Sequence, residues 1–175
     1  MAANWTAFVA GDVLTAAQLN GVVDNFADVA IFNETQSSGT AGGGATAGSY
    51  VKRTLNTTVV NNISGASIAS SVITLPAGTY QVQASAPAHR TNSHKLRLQD
   101  TTNTATLAVG SNAYSGSVDD SQSNAVLSSV ITLAGSTNIE LQHRVGTTKA
   151  TNGAGIALSF GDDEVYSAIM IRRIA

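Results

Sequence analysis

SSVITLPAGTYQVQASA, residues 70–86, decides the fold class. Tyr80, Val82, Ala84 and Ala86 alternate with polar neighbours, the period of a strand with one buried and one wet face. A second stretch, SSVITLAGSTNIELQ from Ser128, repeats the run SSVITL before a Gly-containing turn, and Ile139 and Leu141 alternate in the same way. Two hairpins of like construction are predicted, which suits a double Greek key. Working outward, strand signals recur at 50–60, 67–75, 79–86, 94–100, 104–109, 125–133, 138–145, 155–160 and 165–174. Residues 50–175 are therefore predicted to form a jelly-roll-type antiparallel β-sandwich, making the protein mainly β.

The last of these strands, within EVYSAIMIRRIA, places Ile169, Met170 and Ile171 in succession. Successive side chains point to opposite faces, so both faces of this strand are expected to be buried. One face meets the core and the other needs cover from outside. A loop or a second subunit would supply that cover; the latter puts Ile169, Met170 and Ile171 at a subunit interface, which the resemblance of LPAGTY and EVYSAIMIRRI to trimeric jelly rolls implies is that of a homotrimer, near its three-fold axis.

Upstream the pattern changes. Thr15 with Gln18 reads as a capping box, Leu14 with Leu19 as a hydrophobic staple, and Leu19, Val22, Phe26 and Val29 alternate steps of three and four. Val23 and Ala30 widen that stripe, predicting a helix over 15–31 that requires a partner surface. Trp5 and Phe8 supply an aromatic pair near the terminus that must also find cover, as a buried hot spot in a neighbouring protein does. Residues 1–36 are read as an attachment segment. Residues 37–49, SSGTAGGGATAGS, contain only small residues and read as a flexible linker.

Charged residues are 11% of the chain and net charge is −2, so Ser, Thr, Asn and Gly must carry solubility, and no basic cluster suits a row of phosphates. Nucleic acid is not an expected partner. No secretory leader and no apolar run of bilayer length is evident, which predicts synthesis in a cytoplasm without membrane insertion. The sequons at Asn4, Asn33, Asn56 and Asn62 are then accidents of a Thr-rich composition. With no cysteine, packing alone must hold the fold.

Three histidines, His89, His94 and His143, with Asp100 and the acids Asp162, Asp163 and Glu164, are the best material for catalysis. They match no ligand spacing and no nucleophile elbow. No catalytic residue, metal or cofactor is expected. The three adjacent acids read as an exposed turn rather than a calcium site. The loop SNAYSGSVDDSQSN reads as an ordinary exposed loop; the alternative is a ligand-contacting loop in which the Tyr114 ring would stack on a surface glycan and Asp119 and Asp120 would accept its hydroxyls.

The segment with Trp5, Ala7, Phe8, Gly11, Asp12 and LTAAQLN resembles a motif near the N-terminus of tail fibres and other appendage proteins of tailed bacteriophages. The body, with LPAGTY and EVYSAIMIRRI, is similar to the trimeric jelly rolls of the tumour-necrosis-factor and C1q type found in phage fibres and decoration proteins. The resemblance implies a non-enzymatic structural protein of the virion. Trp5, Phe8, Leu14, Leu19, Val22 and Phe26 would dock it to other virion proteins, and a trimeric sandwich would face outward. The chain lacks the shaft repeats of long tail fibres. A tail fibre, a head fibre or capsid decoration protein, and a soluble carbohydrate-binding module are the alternatives.

Overall fold

A computed structural model describes Gly11, Val13, residues 15–17 and residues 28–175. Among these lie twelve strands: β1 (Val29–Gln36), β2 (Val51–Lys52), β3 (Thr57–Asn61), β4 (Ser67–Ala69), β5 (Val72–Leu75), β6 (Gly78–His89), β7 (Asn92–Asp100), β8 (Ala105–Val109), β9 (Ala113–Ser115), β10 (Gln122–Leu133), β11 (Thr137–Val145) and β12 (Glu164–Arg173). They form two antiparallel sheets. One has the order β10-β6-β12-β1-β3; the other has β4-β5-β11-β7-β8, with β2 added on β11 and β9 on β7. This is the expected mainly-β sandwich, consistent with a jelly roll.

The core lies between the sheets, built from alternate residues of each long strand. Phe32, Tyr80, Val82, Leu96, Leu98, Ile139, Leu141, Ile169 and Ile171 are fully buried. Tyr80 keeps its hydroxyl satisfied by donating to the Pro76 carbonyl at 2.8 Å.

The two SSVITL stretches are not hairpins. β5 and β6 belong to opposite sheets, as do β10 and β11, so each Gly-containing connection crosses from sheet to sheet. The two units instead pair with each other: β6 runs against β10 over its whole length, Gly78↔Leu133 to His89↔Gln122, and β5 pairs with β11. The alternation was a true strand signal, but period two does not say which strand is the neighbour.

Other expectations are corrected. The predicted helix cannot extend to Ile31, because residues 29–31 open β1, hydrogen-bonded to both β12 and β3. Ala30 and Phe32 face the core at zero exposure. Ala30, Phe32 and Glu34 follow period two, and their pairing with β12 overrides the helical stripe. Residues 18–27 of that helix, and Trp5, Phe8, Leu14, Leu19, Val22 and Phe26, lie outside the described residues.

Nor does the globular part begin at residue 50. Residues 37–49 lie against 149–164: the Gly42 N–H donates to the Gly155 carbonyl at 3.0 Å, and Ala45 pairs with Lys149. A Cβ on Gly42 would come within 2.9 Å of the Ala154 carbonyl oxygen and 3.0 Å of the Tyr166 ring, and one on Gly44 would overlap the Ala150 carbonyl. The small residues are there for close approach rather than for flexibility. Residues 155–160 form no strand, 50–60 splits into β2 and β3, and 67–75 is broken by a turn at Ser70 and Ser71, whose φ values are 48° and 62°.

Candidate functional site

Along several strands the inward-facing residues change from apolar to polar at the same end of the sandwich. On β1, Glu34 follows Phe32; on β12, Ser167 precedes Ile169; on β11, His143 follows Leu141; on β7, His94 precedes Leu96. All four polar residues are buried. Arg53, just after β2, reaches the first pair. Its Nε is shared between Glu34 Oε2 at 2.8 Å and Ser167 Oγ at 2.6 Å, and its Nη2 donates to the Ala154 carbonyl at 2.9 Å. The ion pair closes at 2.6 Å, and the Ser167 hydroxyl donates to the same carboxylate oxygen at 2.7 Å. Burial pulls the Arg53 pKa down, while the Glu34 charge and hydrogen bond oppose that pull. A buried pair of this kind is stable only when its remaining protons and lone pairs are matched, as they are here by Ser167 and Ala154.

His94 and His143, grouped in sequence with His89 but at no ligand spacing, meet across the β7–β11 ladder with ring centroids 5.1 Å apart. The hydrogen bonds fix their protons. Ser123 Oγ lies 2.8 Å from the Tyr114 carbonyl oxygen, which only accepts, so the Ser123 proton goes there. His94 Nε2, 2.8 Å from Ser123 Oγ, must then donate, and in the neutral ring its Nδ1 accepts from His143 Nε2 across 3.0 Å. Each ring carries one proton and is neutral under this assignment. His94 is a donor to Ser123 and is not placed to take its proton, as the base beside a nucleophile must. Burial pushes His94 down to about 4 and His143 to about 3, with the Arg53 charge adding to both and the neighbouring His94 to the second. Both shifts agree with the neutral wiring.

The remaining predicted residues scatter. His89 is buried with Nε2 2.8 Å from Asp120 Oδ1, so Asp120 turns toward β6 instead of toward Tyr114. Asp100, at the end of β7, binds the Asn103 N–H at 2.9 Å and its side-chain amide at 2.8 Å. Burial would raise its pKa, but these bonds and one from Thr102 hold it below the usual range. Glu164 accepts N–H bonds from Ser159 at 2.8 Å, Gly39 at 3.1 Å and Leu158 at 3.1 Å, which lower its pKa. It pins two loops and does not converge with the exposed Asp162 and Asp163. Among the described residues no three His, Cys, Asp or Glu side chains gather as a metal site would need, and no helix is long and apolar enough to cross a membrane.

Two outer faces differ in character. On the five-stranded sheet, Ile169 and Ile171 point into the core, so of the three predicted interface residues Met170 alone lies outside, half-buried. Register aligns it in a row with Ile31, Gln83 and Ser128, flanked by Val126, Ser85 and Ala168. These residues line a shallow groove of about 350 Å³. On the other sheet Tyr114, 65% exposed, lines an open cleft of about 640 Å³ with Tyr50, Lys95 and Arg144. Sequence reading missed those three partners, because they come from three separate segments that only strand pairing brings together.

The two-sheet backbone is similar to the jelly rolls of several solved structures. The globular domain of zebrafish complement 1qA protein matches at a TM-score of 0.52 and 16% identity, covering 84% of this chain and 95% of its own. Murine APRIL at pH 5.0 matches at 0.53 and 11% identity, covering 82% and 97%. The PRD1 vertex protein P5 matches at 0.50 and 15% identity, covering 85% and 98%. At such identities the likeness is one of fold alone. No protein-family model matches the sequence, and no curated protein matches it.

Proposed function

We propose that this chain is a non-enzymatic structural protein of a bacteriophage virion, a homotrimeric fibre or decoration protein that is held by residues before β1 and exposes its sandwich. The observation that carries the reading is the outer face of the five-stranded sheet. Met170, Ile31, Ala168, Val126 and Val130 make it largely apolar among Ser and Gln, with Arg172 the one charge in the row of Val29, Gln81 and Val130. Val126 and Val130 are 51% and 59% exposed in a chain with few charges to keep such a face in water. A second copy related by a closed symmetry would cover this face. Support for the virion comes from the fold shared with a vertex protein over nearly all of that chain, and from the N-terminal motif. The polar end of the core supports a structural role too, since its hydrogen bonds are spent on one another.

Light scattering on the purified protein tests the assembly. The wild type should have the mass of three chains, and Met170→Glu should be monomeric, because it would bring three desolvated like charges together. A monomeric wild type, or a Met170→Glu protein that stays trimeric, overturns the trimer. Labelling the protein in images of the intact particle tests its place in the virion.

A further inference from the structure

Lys95 and Arg144 stand directly opposite each other across the β7–β11 ladder, on the outward face of the sheet. Like charges in register repel. Among the described residues neither has an acidic partner, the ion pairs being Lys52–Glu140, Arg53–Glu34 and His89–Asp120. A third cation crowds the same place: the Arg97 guanidinium lies 4.1 Å from the centre of the Tyr50 ring, and that of Arg144 lies 6.0 Å from it. Arg97 Nε is occupied by the neutral Gln142 Oε1 at 2.8 Å. Gln142 in turn donates to Glu140 at 2.6 Å, so the cations that line the cleft without an acidic partner are Lys95 and Arg144.

The same cleft carries rings. Tyr114 pairs in register with Ser93, beside Lys95, and Tyr50 sits against the arginines. Ser93 and Asn112 add short hydrogen-bonding side chains to the lining. The acids that the Tyr114 loop offered in sequence are absent from it, Asp120 being turned to His89. The sign of the ligand's charge is therefore the reverse of what a carboxylate-lined sugar site would select.

We propose that this cleft binds an anionic saccharide, a sugar bearing a carboxylate or a phosphate. Lys95 and Arg144 receive the anion, which relieves their mutual repulsion and gains charge-assisted hydrogen bonds. The exposed Tyr114 ring stacks on the apolar face of the pyranose. A bare anion would use the cations and leave the tyrosine idle, and a neutral sugar would leave the repulsion in place. A single-stranded nucleic acid needs a basic groove that follows several successive phosphates, whereas the basic surface here is confined to one pair and its neighbour.

Calorimetric and amide-shift titrations of the whole protein decide it, with trigalacturonate, glucose 6-phosphate, maltotriose, inorganic phosphate and a thymidine oligonucleotide as probes. Trigalacturonate or glucose 6-phosphate should bind at millimolar concentration or better and shift the amides of Lys95, Tyr114 and Arg144, the arm that binds telling carboxylate from phosphate. Lys95→Gln with Arg144→Gln should weaken that binding by about tenfold or more, and Tyr114→Ala should weaken it several-fold, with amide spectra unchanged away from the cleft. Equal binding of maltotriose, equal binding of inorganic phosphate and glucose 6-phosphate, tighter binding of the oligonucleotide, no binding of either anionic sugar, or binding indifferent to these substitutions each overturns the proposal. The trimer is a separate matter, since Met170→Glu alters the opposite sheet.

Discussion

Acid should unfold this protein through two side chains. His94 and His143 are 3% and 5% exposed, and burial together with the nearby Arg53 charge favours their neutral forms. Their folded pKa values, about 4 and about 3, lie below the 6.5 of an unperturbed histidine. The unfolded chain therefore takes up protons first, and stability falls with pH: it is fully present above about pH 6.5 and lost progressively toward the folded values. At pH 5.0 the solution is about 1.5 units below the unfolded pKa, which at about 1.4 kcal/mol per unit is about 2 kcal/mol for each ring. His94 also lines the open cleft, where solvent screens charge, so about half of its share is kept and the pair together loses about 3 kcal/mol. Asp100 and Glu164, whose pKa values are lowered from 3.8 and 4.5, contribute stability that is lost only further into acid, so pH 7.5 to 5.0 isolates the histidines. Urea unfolding followed by circular dichroism, at one fixed protein concentration because association adds to apparent stability, should show the midpoint dropping by about 1–3 M over that window. In a His94→Leu, His143→Leu double variant the drop should largely disappear. A wild-type midpoint that is flat from pH 7.5 to 5.0, or a double variant that keeps the full drop, would refute the reasoning.

Arg53→Met strands Glu34 in the core and should cost about 3–5 kcal/mol by the same urea assay, whereas Arg53→Met combined with Glu34→Gln should recover much of the loss. Gly44→Ala should destabilise by about 1–3 kcal/mol in thermal melts, because the added methyl meets the Ala150 carbonyl; a neutral result would restore the linker reading of residues 37–49. Removing residues 1–27 should leave a folded sandwich of unchanged association state that no longer joins particles, scored by incorporation into virions. A deletion that also removed β1 should not fold, since Ala30 and Phe32 belong to the core.

How much of this was legible depended on whether a residue's neighbours were near in sequence. The alternation at Tyr80, Val82, Ala84 and Ala86 marked β6, and the succession Ile169, Met170, Ile171 showed that β12 presents side chains on two faces. Both signals are local. β1 was misread because VAIFNET satisfies two periods at once, and only pairing with β12 selects the strand. The Gly-rich stretch misled for a related reason: composition reports an absence of side chains, not the Ala150 and Ala154 carbonyls that occupy the space. Tyr114 was found because it stands out in its loop. Tyr50, Lys95 and Arg144 were not, since each is unremarkable until the β7–β11 and β2–β11 ladders set it in place. The Glu34–Arg53–Ser167 cluster left one usable trace, an acid at the core phase of a strand two positions after Phe32.

The position of β12 bears on how the chain is made. It follows every other strand in sequence, yet lies at the centre of its sheet, joined to β6 on one side and β1 on the other. Until residues 164–173 leave the ribosome, β1 and β6 are separate edges, each with unpaired backbone groups and one apolar face. The β1–β12 ladder spans most of the chain length, and such non-local pairing is slow to form. Until β12 is made, the sheet lacks the strand that joins its two halves, a period in which the edges of neighbouring copies compete for pairing.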